Sequence, residues 1–275
     1  MRDQPTLRDH SCPPTLAARP GARWPVALDL GTSTVRVWAP TSGKILTEPA
    51  VITYGRSGRQ PVGRAALDLA RTGGARLVWP VRQGVVEDFF GCVRLLRVLL
   101  AAAGRPDGDP SPVLVGVPAT ATLRQKNLLV AAVRRAAGGR VTAVEEPLAA
   151  ALACRADLHA GDIVAVDIGH GRTEVVRIAD GAIVSAERVD LVNPIDQVPA
   201  IADCVRRLNA GQGWTGHRRL LLTGGGAMHP GTAARLAALT GRSVTMPPDP
   251  PLATLTGLRL LLTDVPASPA VNNCG

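Results

Sequence analysis

Short apolar runs, each closed by glycine, proline or a small polar cluster, alternate along this chain with longer stretches of helical spacing. Val26–Leu30 is a five-residue apolar run that carries Asp29. The chain turns at once through Gly31, Thr32, Ser33 and Thr34, then resumes with alternating character. Val35 and Val37 lie on one face and Arg36 and Trp38 on the other, which reads as a strand–turn–strand hairpin. The same grammar returns at Ile163–Ile168, where Asp167 precedes Gly169, His170, Gly171, Arg172 and Thr173 and a second strand follows. Asp180-Gly181 then marks a hairpin turn. Two copies of one design in one chain predict two related lobes facing each other.

Between the copies, residues 41–78 hold short β-like pieces and a short helix near Arg64–Arg71, which we read as a small insertion on the first lobe. Val86, Phe89, Phe90, Val93, Leu96 and Leu100 recur at helical spacing and predict a core-packing helix over 85–100, ended by Gly104 and Pro106. Val113–Val117 reads as a buried strand stopped by Pro118. Thr120 or Thr122 can cap a helix that runs through Gln125 to Ala137. Val141–Val144 predicts a strand, and Pro147 fits the first turn of an alanine-rich helix. In the second half, helices are expected near 195–208, 231–239 and 252–262. A strand enters the glycine-rich turn Gly224-Gly225-Gly226-Ala227, and another covers 243–246. The expected organisation is a disordered tail over 1–23, lobe I over 24–157, lobe II over 158–262 and a C-terminal tail over 263–275.

Composition narrows the function classes. The net charge of +9 comes almost wholly from arginine, Lys44 and Lys126 being the only lysines. The arginines are scattered, and aromatic residues make up 3% of the chain, so there is little to stack on bases; no nucleic-acid partner is expected. Five dispersed cysteines show no metal spacing and read as reduced thiols. No window approaches the ~18 apolar residues of a membrane span, and the N-terminus lacks a signal pattern, so the expected location is cytoplasmic.

An acidic residue followed by a glycine turn can place a carboxylate beside backbone N–H groups and hydroxyls that bind an anion, with a metal ion alongside. Here the order of motifs resembles one superfamily, the actin, sugar-kinase and heat-shock-chaperone ATPases. Within it the chain is similar to the bacterial actin-like, rod-shape-determining (MreB-like) family. The likeness rests on Asp29-Leu-Gly-Thr, Glu48-Pro-Ala-Val, Val62-Gly-Arg-Ala and Pro80-Val-Arg-Gln-Gly-Val-Val-Glu-Asp-Phe. It continues through Val115-Gly-Val-Pro, Glu145-Glu-Pro-Leu-Ala-Ala-Ala, Asp167-Ile-Gly-His-Gly-Arg-Thr-Glu, Leu222-Thr-Gly-Gly-Gly-Ala and Asp249-Pro.

The resemblance implies an α/β, actin-like ATPase fold with two ribonuclease-H-like lobes around a nucleotide cleft, binding ATP and Mg²⁺. It implies that Asp29 and Asp167 steer the metal through water, and that Gly31 to Thr34 and Gly169 to Thr173 cradle the phosphates. Gly224 to Ala227 would approach the adenosine, and Arg36 would stand where actins place a phosphate-contacting lysine. Slow hydrolysis, filament assembly with itself or a full-length actin-like paralogue, and membrane-associated cell-wall synthesis proteins as partners belong to the same expectation, as does a place at the inner face of the membrane.

Three departures qualify it. Gln125 stands where the family has a water-activating glutamate; an amide can orient water but cannot be a general base. His170 and Arg172 replace small residues of the second phosphate turn. His170 brings a Cβ to a crowded, left-handed position, and Arg172 either binds a phosphate or fills its place. Fewer than about thirty residues separate Leu191 from Leu220, room for a turn and one helix, where the family carries the small subdomain of the second lobe. The alternative to an ATP-binding accessory protein is therefore a nucleotide-independent scaffold or regulator of a full-length paralogue. A small-molecule kinase on the same fold lacks an evident substrate apparatus.

Overall fold

A computed structural model describes residues 25–54, 60–73, 75–159, 161–189, 196–209 and 219–263. The expected tails, and the chain on either side of the helix before Arg219, lie outside the described residues.

The first half opens with a meander of β1 (Val26–Leu30), β2 (Thr34–Trp38) and β3 (Ile45–Pro49). β3 lies inside the insertion expected over 41–78, yet it pairs with β2 in the main sheet. After it come β4 (Ile52–Tyr54), α1 (Gly63–Arg71), β5 (Arg76–Val78), β6 (Val81–Arg82) and β7 (Val85–Val86). Then come α2 (Phe89–Ala102), β8 (Val113–Val117), α3 (Leu123–Ala137), β9 (Val141–Glu145) and α4 (Glu146–Ala153). Among the described residues the second half repeats the plan without counterparts of β4 to β7: β10 (Ile163–Ile168), β11 (Thr173–Ala179), β12 (Ala182–Val189), α5 (Val198–Asn209), β13 (Arg219–Thr223), α6 (Thr232–Thr240), β14 (Ser243–Thr245) and α7 (Ala253–Thr263).

The sheet orders, β3-β2-β1-β8-β9 and β12-β11-β10-β13-β14, are the same arrangement twice. In each, an antiparallel hairpin supplies one side and two parallel strands the other. Parallel neighbours need crossovers, and α2 and α3 in the first half and α5 and α6 in the second lie in them.

Alternation decides which face each sheet buries. Leu28, Leu30, Val35, Val37 and Val115 point toward α2 and α3 and form one core with Leu96, Leu99 and Leu129. Val164, Val166, Leu220 and Leu222 form the matching core with Ile201 and Val205 of α5. The opposite faces look toward each other, with α4 and α7 between them. Ala151 of α4 and Cys154 at its C-terminal cap pack on Ala165, Val176 and Leu221 of the second sheet. Leu255 and Leu258 of α7 pack on Ala27 and Trp38 of the first. Each half thus lends its last helix to the other half's sheet.

Two expectations within the helix over 85–100 are corrected. Val85–Val86 pairs with Val81–Arg82 as a short hairpin, and the helix begins only after Asp88, whose carboxylate accepts the Gly91 N–H at 2.9 Å. Phe90 lies on the outer face of that helix and is 80% exposed.

Candidate functional site

The two hairpins deliver matched ends to the gap between the sheets. Gly31 N–H donates to the Thr34 carbonyl at 3.0 Å, and Gly169 N–H donates to the Arg172 carbonyl at 2.8 Å. A Cβ on either glycine would sit 3.1 Å or 3.0 Å from that same carbonyl, so both turns need the close approach that glycine allows. Strand register then fixes equivalent positions. Asp29 faces Arg36 across β1–β2, and Asp167 faces Glu174 across β10–β11.

A cavity of about 140 Å³ lies between the turns. From the first half, Asp29, Gly31, Thr32, Ser33, Thr34 and Arg36 line it. From the second come Asp167, Gly169, His170, Arg172, Gly224 and Gly225. Most of the residues singled out from sequence therefore meet at one place.

The others do not line it. Gly171 faces an adjoining cavity with Trp79 and Gln83. The Thr173 hydroxyl is buried against Gln197 at 3.2 Å. Gly226 packs on Ile168, where a Cβ would lie 2.1 Å from the isoleucine Cγ2, and Ala227 is buried behind it. Gln125 serves its own helix: its side-chain oxygen accepts the Thr122 N–H at 2.9 Å in a capping box. The left-handed geometry expected at His170 falls instead on Gly171, with φ of 79°.

Sequence reasoning missed Gly84, Glu146, Glu174, Pro250, Pro251 and Thr254, which complete the lining. Glu174 is 2% exposed. Its carboxylate reaches across to the first half, accepting the Ala119 N–H at 3.0 Å, the Thr120 N–H at 2.9 Å and the Thr120 hydroxyl. The available signal was the repeat itself, because Glu174 occupies the position of Arg36.

The electrostatics are those of crowded acids. Arg36 donates to Asp29 at 2.9 Å. Burial nevertheless raises the Asp29 carboxyl, with Arg36 opposing. Burial, together with the nearby Glu174 and Asp29, pushes Asp167 up to about 6 against the Thr223 hydroxyl that donates to it at 2.8 Å. Burial and the charges of Asp29, Glu174 and Asp167 raise Glu146 well above the usual carboxylate range, while Arg172 opposes them. Among the described residues no three acidic, histidine or cysteine side chains are grouped to hold a metal unaided. The donor set suits Mg²⁺, which takes one or two carboxylates and completes its shell with water and phosphate. Asp29 and Asp167 each keep one carboxylate oxygen outside the bonds to Arg36 and Thr223.

The family model described as MreB/Mbl protein matches residues 23–207. The cell shape-determining protein MreB of Pasteurella multocida (strain Pm70) is 33% identical over 175 residues, covering 60% of this chain and 50% of that protein. The chain thus spans about half the length of the curated relatives it matches. Among solved structures, MreB5 of Spiroplasma citri bound to AMPPNP superposes with a TM-score of 0.77 at 18% identity, covering 89% of this chain and 97% of that one. A MamK double helical filament superposes with a TM-score of 0.71 at 20% identity, covering 89% and 100%. At such identities the likeness to these structures is one of fold.

Proposed function

The chain belongs to the MreB/Mbl family and has an actin-like fold, and from that premise we propose that it is a cell-shape protein holding ATP with Mg²⁺ between its two halves. In this reading it hydrolyses ATP slowly or not at all. It serves as an accessory subunit to an actin-like filament or to cell-wall synthesis proteins, in the cytoplasm at the membrane's inner face. No described helix is long and apolar enough to cross a membrane. Its filament partner would be a second copy or a full-length actin-like paralogue.

The observation that carries the nucleotide part is convergence: two glycine turns and two aspartates from duplicate halves line one cavity. The N–H groups and hydroxyls of Thr32, Ser33 and Thr34 would receive phosphate oxygens from one side, and the backbone of Gly169 and His170 from the other. Asp29 and Asp167 would hold Mg²⁺ through water, and the ion would supply positive charge to offset that of the phosphates. Gly224 and Gly225 leave the cavity wall bare of side chains for a nucleoside. Hydrolysis needs a residue that orients water, and the Gln125 amide is committed to the capping box of α3. The likeness to the cell shape-determining protein MreB and to the MamK filament supports the cytoskeletal part.

One observation favours the nucleotide-independent alternative: the arginines in the cleft already pair with its acids, Arg36 with Asp29 and Arg172 with Glu174. Titration calorimetry with ATP, with and without Mg²⁺, decides between them. The proposal expects saturable, one-site binding that weakens at least about tenfold without the metal. Absence of heat under both conditions, together with pelleting only alongside a full-length paralogue, supports the scaffold.

A further inference from the structure

Building on that nucleotide reading, we propose that Arg172 anchors the terminal phosphate and makes the cleft select a nucleoside triphosphate over a diphosphate. The repeat shows what is unusual. The turn bond from Gly169 to Arg172 is the counterpart of the bond from Gly31 to Thr34, so Arg172 occupies the place of a cavity-lining hydroxyl. A short donor in one half is a long cation in the other.

The cation is held rather than loose. Arg172 is 8% exposed, and its Nε lies 3.6 Å from Glu174 Oε1. Glu174 is itself fixed by the Ala119 and Thr120 donors of the other half. The guanidinium rests against Gly84, where a Cβ would stand 2.9 Å from Nη1. Gly84 N–H in turn donates to the Thr32 hydroxyl at 3.0 Å. Arg172 therefore reaches from the second phosphate turn to the first, at the Gly84–Thr32 end of the cavity. In the nucleotide reading the nucleoside lies at Gly224 and Gly225, which line the same cavity. A nucleotide laid with its base there would run its phosphates toward the guanidinium, which lines the same cavity. Glu174 keeps its own backbone donors from Ala119 and Thr120 when the guanidinium turns toward a phosphate dianion.

The test is calorimetric binding of AMPPNP and ADP, both with Mg²⁺, to the full chain and to Arg172→Ala and Arg172→Lys, each checked for fold by circular dichroism. We expect the unaltered protein to prefer AMPPNP. Arg172→Ala should lose about 10- to 100-fold in AMPPNP affinity, with ADP affinity changing less than about threefold. Arg172→Lys should fall between, a point charge lacking the fork. Should the alanine variant not fold, a preference unchanged in Arg172→Lys overturns the proposal and a reduced one supports it. AMPPNP binding as tight as or tighter than normal in Arg172→Ala overturns it, the latter showing that the side chain fills the phosphate's place. Failure of the unaltered protein to bind either nucleotide removes the nucleotide reading itself, and this inference with it.

Discussion

Gly257 lies in the middle of α7, where α7 crosses α4, and its replacement by alanine sets two physical effects against each other. Local propensity favours alanine by about 1 kcal/mol in a helix interior. Packing opposes it: a Cβ at Gly257 would stand 1.7 Å from the Ala149 carbonyl oxygen and 2.4 Å from its carbon. An ordinary C···O contact is about 3.3 Å, so the two helices must part locally by about 1.6 Å. The obstacle is backbone, which no rotamer change removes, so the cost belongs at or above the upper end of the ~1–3 kcal/mol typical of overpacking. The balance is a net loss of about 2 kcal/mol. At about 2–4 °C per kcal/mol for a chain of this size, Gly257→Ala should melt about 4–8 °C lower by calorimetry or circular dichroism. The site should register the change as well. Glu146 opens α4 and Thr254 lies one turn before Gly257, and both line the cleft. Nucleotide affinity should therefore fall with stability. A melting temperature raised by 2–4 °C, as propensity alone dictates, would refute the claim that α4 and α7 are in backbone contact.

Two further outcomes follow from the buried groups. Asp167 holds its proton more tightly when folded, near 6 against 3.8, so its contribution to stability is present at low pH and is lost as pH rises from about 4 through 6. Asp167→Asn should flatten that part of the ligand-free stability profile and melt higher than the unaltered protein at pH 7, by up to about 3 kcal/mol, while losing Mg²⁺-dependent ATP binding; a lower melting point would contradict the electrostatic account. Cys92, Cys154 and Cys204 are buried, with thiols pushed up to about 12, 11 and 12. Iodoacetamide at pH 8 should leave all three unlabelled in the native protein and label them in denaturant, as read by peptide mass spectrometry.

What the sequence disclosed was whatever repeats or stays local. Asp29-Leu-Gly and Asp167-Ile-Gly announce themselves because a buried strand, an acid and a glycine turn are contiguous. The duplicated sheet order follows from reading the hairpin twice. Glu146 and Glu174 were invisible because their roles depend on the opposite half. Glu174 looks like one polar residue in an apolar strand until Ala119 and Thr120 arrive across the cleft. Phe90 misled because adjacent helical positions point about 100° apart, so the Phe89-Phe90 pair does not seat both rings in one core. His170 misled because the turn could place its left-handed residue at either middle position, and glycine at 171 took it. Gln125 shows the limit of matching by motif: the residue type aligned with a catalytic position, yet its amide closes a capping box.

The central claim is that two copies of one hairpin grip one polyphosphate. A crystal structure of the chain with AMPPNP and Mg²⁺ tests it most directly. The account predicts phosphates between Gly31–Thr34 and Gly169–His170, with Asp29 and Asp167 both facing the metal's water shell. Phosphates bound elsewhere, or touching the turn of one half only, would contradict it.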